Sequence, residues 1–313
     1  MISITTWFRV NRDGAIERFN GYSAAVKSHP YELIDVFTDQ PLAGNQLAVF
    51  PHGEDIDELL LQPLARELNL SETVFLYPPT DGGHARMRIF TTWCELPFAG
   101  HPTLGTACVL ARTAKQAPAV VEVLLETGKG VVPVKVELSA DGSLSGWMDQ
   151  PIPVFEEWAG SQRALLETLN VPEPIAPIQL YNNGVPHLYV MLPTVADVLA
   201  IRPNFPALRE VCAGARINCF ASAGSEYTSR MFTPFDLAAP EDPACGSAAG
   251  PLAVHLLRHG IIASGQEITI SQGEKVGRPS TLLASASEEA GAVRTVRVGG
   301  SACPVGQGTF FLS

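Results

Sequence analysis

The chain has 313 residues, of which 46% are hydrophobic and 17% charged, with a formal net charge of −11. That composition supplies two domains of ordinary size with packed cores and excludes a disordered chain. The negative charge, with no basic cluster set against it, argues against nucleic acid as a partner. The six cysteines, Cys94, Cys108, Cys212, Cys219, Cys245 and Cys303, are scattered without a C-x-x-C pair, so neither a disulfide framework nor a zinc site is expected. No apolar run reaches the roughly 18 residues of a membrane span. The first residues, MISITTWFRVNRDG, have neither a basic start nor a long apolar stretch. A soluble, cytoplasmic protein with no membrane partner is the expectation.

Residues 1–29 are polar and weakly patterned, and read as an added strand, a tail or an overlong start. YELIDVF (31–37) and LAVFP (47–51) read as strands around the turn-rich DQPLAGNQ. Residues 55–69 have apolar side chains at helical spacing, with Pro63 a bend. A strand beginning at Glu72 and another over 85–91 lead to a loop at Gly100 and His101. Thr103 to Ala111 carries no charge, so the helix there is expected to be enclosed, with Pro102 at its first position. Strands follow over 120–149, and a boundary falls near Pro151–Pro153. Ser161 caps a helix over 161–170. Strands over 186–193, 216–222 and 227–234 lead to a second special loop and helix, and four more strands (EITISQG, STLLASASE, VRTVRVGG, QGTFFLS) close the chain.

The second special stretch, Glu241–Gly260, organises the rest. Its Ala248–Leu257 segment is apolar all round except for His255, the pattern of a helix buried on every side. Pro251 is assigned to its first turn and Gly260 to its stop. Asp242, Cys245 and Ser247 gather about Gly246 at its start, where backbone N–H groups and the helix dipole favour an anionic small molecule. Residues 88–112 and 230–258 match: both open Arg-Ile/Met-Phe-Thr, both carry Glu-x-Pro-x-Ala/Cys-Gly, and both run into an apolar helix ending in Arg. Glu95, Pro97, Ala99 and Gly100 stand opposite Glu241, Pro243, Cys245 and Gly246, which suggests a duplicated fold. The expected class is α+β, two pseudo-repeated antiparallel β-rolls each around a central apolar helix, with both helix N-termini facing one cleft. The expected division is an extension over 1–29, a first roll over 30–150 joined by the C-terminal strand 301–313, and a second roll over 151–300.

NLSETVFL, ELPFAGHPTLGTA, GVPHLYV, RMF with EDPACGSAAG, and QGEKVGRPS together resemble the PhzF-like (phenazine biosynthesis) family of the diaminopimelate-epimerase-like superfamily, from about residue 31 onward. The resemblance implies a fold of two β-rolls with the active site between them, no cofactor or metal, and a homodimer. It also implies an isomerase similar to the one that names the family, in which a glutamate of the S-E-T segment shuttles a proton within trans-2,3-dihydro-3-hydroxyanthranilate. By motif position that glutamate is Glu72, and the accompanying residues are His101, Asp242 and Ser247.

The residue chemistry is compatible with that role. A carboxylate takes and returns a proton more readily when partial burial raises its basicity, and Glu72 opens an apolar strand. His101 either donates a hydrogen bond, relays a proton or caps its helix, and Asp242 either binds a substrate amine or hydroxyl, assists the proton transfer or is a plain cap. Ser247 and the N–H groups at Gly100 and Gly246 would hold a carboxylate and stabilise the electron-rich intermediate. Asn45 lies in a turn and is a candidate for the cleft edge. Arg278 either reaches an anion or makes a structural ion pair. His255 and His259 stand four apart, a metal spacing, but with no third ligand they read as one packed and one surface side chain.

Cys245 opens two other readings. Racemases of the wider superfamily use two opposed cysteines, and a helix N-terminus lowers a thiol's pKa. Here the mate of Cys245 is Ala99, and the family pattern commonly has threonine at the Cys245 position. Cys245 is thus read as a spectator or a base, and the alternatives are an amino-acid epimerase or racemase using Cys245 against a carboxylate such as Glu72, or a non-catalytic small-molecule binding protein on the same fold.

Overall fold

The computed structural model describes residues 4–10, 16–22, 26–235 and 240–312, with side chains described from residue 26 onward. Strands Ile4–Val10 and Ile16–Tyr22 pair antiparallel as a two-stranded sheet of their own. All strands from Lys27 to Leu312 join in one closed sheet. Six α-helices accompany it among the described residues: α1 (Glu58–Leu68), α2 (Gly100–Ala114), α3 (Gln162–Leu169), α4 (Val195–Ala200), α5 (Phe205–Val211) and α6 (Gly246–Arg258).

Two helices, α2 and α6, lie inside. Neither has an acidic first turn or a side-chain cap, and from Gly100 to Val109 every residue of α2 is buried. Such helices are held by burial of their whole circumference rather than by end chemistry. Leu104 and Ala107 of α2 and Leu252 and Val254 of α6 belong to one continuous core with Val36, Val136, Ile268 and Val298. Each buried Leu or Val there contributes about 2 kcal/mol. The peripheral helices are conventional. Asp57 caps α1 and Ser161 caps α3, as its sequence indicates, and both end on an asparagine in the left-handed region.

Several expectations are corrected. The sheet is mixed, not antiparallel throughout: Asn45–Phe50 runs parallel to Glu72–Tyr77, Pro186–Met191 to Arg216–Ala223, and short parallel pairings join Ala85–Phe90 to Ala119–Thr127 and Glu226–Phe232 to Glu267–Gln272. Helix α1 provides the crossover for the first of these parallel pairs, and α4 with α5 that for the second. VRTVRVGG and QGTFFLS are not separate strands but one, Ala292–Leu312, which pairs with Leu144–Asp149, Ser280–Glu289 and Lys27–Val36 and shifts register between Pro304 and Gly306.

Pro251 is not in a first turn but is the sixth residue of α6. Its missing N–H leaves the Ser247 carbonyl without its helical donor, and the Asn183 side-chain amide supplies one at 2.9 Å. The carbonyls on either side are also bonded from outside the helix, Gly246 by Gln150 Nε2 at 2.9 Å and Ala248 by the Tyr189 hydroxyl at 2.6 Å. Gly260, with φ of +65°, ends the helix as its sequence indicates.

Candidate active site

The two inner helices point their N-termini at each other. A Cβ on Gly100 would sit 3.1 Å from the Gly246 carbonyl carbon and the Ser247 nitrogen, and one on Gly246 would sit 3.2 Å from the His101 nitrogen. Glycine is needed at both places for this backbone approach, not for its turn conformations. The first amides of each helix have no carbonyl one turn back to bond, so two positive helix ends converge on one spot.

Similar clamps set this geometry on each side. Arg88 holds Glu95 through two hydrogen bonds of 2.7 Å, and Arg230 holds Glu241 at 2.8 and 2.7 Å. In each pair the arginine also lies over the phenylalanine two residues on, Phe90 or Phe232, and the glutamate pairs with that phenylalanine across the sheet. The Glu-x-Pro-x-Ala/Cys-Gly pattern is thus a strand-to-helix corner pinned by its own glutamate.

Glu72 opens its strand beside α2, opposite Leu47, with its side chain 15% exposed. Its Oε2 lies 3.4 Å from His101 Nε2. Asn45, buried at the start of its strand, has its side-chain nitrogen 3.4 Å from His101 Nδ1, and donates to Asp242 Oδ1 at 3.1 Å and the Ala244 carbonyl at 3.0 Å. The Gln46 carbonyl, which can only accept, lies 3.3 Å from Nε2 and assigns the ring hydrogen to that nitrogen, which also faces Glu72. Burial pushes the His101 pKa down to about 3, so the ring is a neutral donor and its contact with Glu72 is polar, not an ion pair. His101 is the second residue of α2 and makes no capping bond. Asp242 also accepts from the Ala244 amide at 2.8 Å, four residues before α6, so it shapes the corner and does not cap the helix.

On the other side, Ser247 Oγ lies 3.0 Å from His187 Nε2 and 3.3 Å from Cys245 Sγ. His187 is itself faced by Asn218 Nδ2, 3.3 Å from Nδ1; with an amide N–H there the ring hydrogen is on Nε2, which donates to the serine and leaves the hydroxyl hydrogen to point elsewhere. Cys245 is buried, and burial together with the neighbouring Asp242 charge raises its thiol to about 12. Burial here works against the lowering that a helix terminus gives a thiol.

A cavity of about 370 Å³ opens here, and Glu72, Asp242, Cys245, Ser247, Arg216 and Trp93 are among its walls. Ala99 also lines it, while Asn45 lies behind, on the wall of a smaller space of about 150 Å³. A larger cavity of about 650 Å³ sits elsewhere, around Arg86 and Glu126. Burial would raise the Glu126 carboxylate, but the amides of Thr80, Asp81 and Gly83 hold it down to about 2, so its acid is committed to closing a loop.

The remaining candidates have structural roles. Arg278 pairs with Asp35 at 2.6 Å and donates to the Gly44 carbonyl at 2.7 Å, fixing the turn that presents Asn45. His255 is fully buried against the rings of Tyr181, Tyr189 and Phe220, and His259 is half-buried, not on the surface, with Nε2 2.9 Å from Gln179 Oε1. No group of three metal-ligating side chains occurs among the described residues. No helix among them is long and apolar enough to cross a membrane.

The fold is shared with solved epimerases. A hydroxyproline epimerase from Agrobacterium vitis, solved with trans-4-hydroxy-L-proline, has the same fold with a TM-score of 0.60 at 13% identity, over 91% of this chain and 93% of that one. A predicted epimerase from Pseudomonas aeruginosa superposes with a TM-score of 0.77 at 29% identity, covering 91% of this chain and 100% of that one. The family described as phenazine biosynthesis-like protein matches residues 34–308, and the chain belongs to it. Among its relatives, a trans-2,3-dihydro-3-hydroxyanthranilate isomerase of Pseudomonas chlororaphis is 43% identical over 285 residues, which are 91% of this chain and 100% of that protein.

Arg216, His187 and Asn218 are not singled out by the sequence. GVPHLYV and RINCF display them, but only the parallel pairing of His187 with Arg216 brings the two segments together.

Proposed function

We propose that this chain is an isomerase that moves a proton between carbons of trans-2,3-dihydro-3-hydroxyanthranilate or a close carboxylate analogue, without metal or cofactor. The supporting observation is the Glu72 carboxylate standing beside neutral His101 on the wall of the cavity at the converging helix tips. Glu72 takes a proton from a C–H bond, and the electron pair moves into the unsaturated system conjugated to the carboxylate. The same proton is then delivered to another carbon and the glutamate is regenerated as a carboxylate, so atoms and charge balance. The Nε2–H of His101, the tip amides and the Ser247 hydroxyl stabilise the negative charge that develops between the two transfers. Asp242 and Asn45 hold the corner behind His101.

The matched clamps and strand registers support reading the architecture as two rolls of like plan, divided near Pro151–Pro153, with the C-terminal strand returned to the first. A homodimer in the cytoplasm belongs to the same reading and rests on the family resemblance alone.

The test is exchange in D₂O. The protein is expected to convert trans-2,3-dihydro-3-hydroxyanthranilate with enzyme-dependent deuterium exchange at carbon, followed by NMR. Glu72→Gln should lower the rate by about 10²–10⁴-fold with an unchanged melting temperature. Wild-type protein that neither turns over nor exchanges this compound, or a Glu72→Gln variant as fast as wild type, would end the proposal.

A further inference from the structure

We infer that Arg216 is the specificity-determining anchor for the substrate's carboxylate, acting together with the N-terminus of α6; this rests on the isomerase reading above. Strand register places it. In the first half Leu47 pairs with Glu72, and the next residue, Thr73, pairs with Phe90 of the clamped strand. In the second half His187 pairs with Arg216, and the next residue, Ile217, pairs with Phe232. Glu72 and Arg216 therefore occupy corresponding positions with opposite charge, and both line the same cavity.

Among the described residues Arg216 is the one lysine or arginine on that wall, which otherwise carries the acids Glu72 and Asp242. Its guanidinium takes part in no hydrogen bond or ion pair with any of them. Arg216 is half-buried, whereas the one arginine that is buried among the described residues, Arg230, is committed to Glu241. The pairing of Arg216 with His187, the partner of Ser247, and the wall it shares with Cys245 and Ser247 place it near the α6 tip. An anion entering this cavity is repelled from the side of Glu72 and Asp242 and drawn to the side of Arg216, Ser247 and the α6 amides. That orientation turns the rest of the molecule toward Glu72. Arginine suits this task because its planar fork matches a carboxylate's two oxygens.

Two readouts test it on the intact protein. Arg216→Gln should raise KM for trans-2,3-dihydro-3-hydroxyanthranilate by about 10- to 100-fold, the scale of a charge-assisted contact, with a much smaller change in kcat. By calorimetry the same variant should bind 3-hydroxyanthranilate, a stable aromatic carboxylate, weaker by a similar factor. Its affinity for 2-aminophenol, the same ring without the carboxylate, should be unchanged. Arg216→Lys should recover part of the loss, and serves as the variant if the glutamine form does not fold. Equal weakening of both ligands, or of neither, overturns the inference while wild-type turnover keeps the parent reading intact. If wild-type protein shows no turnover, the parent reading fails and this one falls with it.

Discussion

The two helix tips share a backbone plan and differ in chemistry. At the α2 tip stand Asn45, His101 and Glu72; at the α6 tip stand Asn218, His187, Ser247 and Cys245, with Arg216 where the first half has Glu72. On both sides an asparagine faces Nδ1 of a buried histidine whose Nε2 carries the hydrogen. One histidine then faces a carboxylate and the other a hydroxyl. The comparison teaches that the corners and tips set where a substrate lies, while a few side chains of opposite character decide which end of it meets the base.

The two corner clamps offer the largest contrast. The Arg230–Glu241 pair is buried, with side chains 8% and 10% exposed, and Arg230 also donates to the Val198 and Ile201 carbonyls. The Arg88–Glu95 pair is 22% and 42% exposed. Arg230→Gln should therefore lower unfolding free energy by about 3–5 kcal/mol by stranding a buried carboxylate, and Arg88→Gln by about 1 kcal/mol or less. Equal losses in denaturant titrations would mean the corners do not differ in this way.

Acid comes next and acts on both tips. Burial lowers His101 to about 3 and His187 well below its usual value, and lowers His255 in the α6 core to about 3. A histidine with a depressed folded pKa binds fewer protons in the folded state than in the unfolded one. Its contribution is complete above its unfolded value near 6.5 and is lost as pH falls below that value toward 3. Denaturation at a series of pH values should show stability falling through that window with net proton uptake on unfolding, and a slope reduced in His255→Phe. A flat profile between pH 6.5 and 4 would contradict the buried neutral rings. The smallest effect is expected at the thiol. With Cys245 held protonated near neutral pH, Cys245→Ala should keep turnover within about threefold, the size expected when a substitution removes only a bystander contact. Iodoacetamide should not inactivate the wild type at pH 8. Loss of activity above about a hundredfold would instead favour the epimerase reading.

Much of this is legible in the chain. Gly100, Gly246 and the corner glutamates are marked by the repeated Glu-x-Pro-x-Ala/Cys-Gly pattern, but the close backbone approach and the clamps, whose partners stand 7 and 11 residues apart, are not. The all-apolar face of α6 marks an enclosed helix. Parallel pairing is not legible, because alternation within a strand carries no sign of its neighbour's direction. For the same reason Arg216 and His187 stay hidden: they meet only through inter-strand register. The position of Pro251 escapes sequence reading because its compensation, the Asn183 amide, reaches a carbonyl 64 residues away in sequence.

That compensation has a consequence for how the site can change. Three successive carbonyls of α6 are stitched to Gln150, Asn183 and Tyr189, groups that come from outside the helix. The direction of its tip is thus moored from the rear, independent of whatever faces forward. Residues at the front, such as Cys245 and Arg216, are free to be exchanged for new substrates without disturbing the aim of the helix.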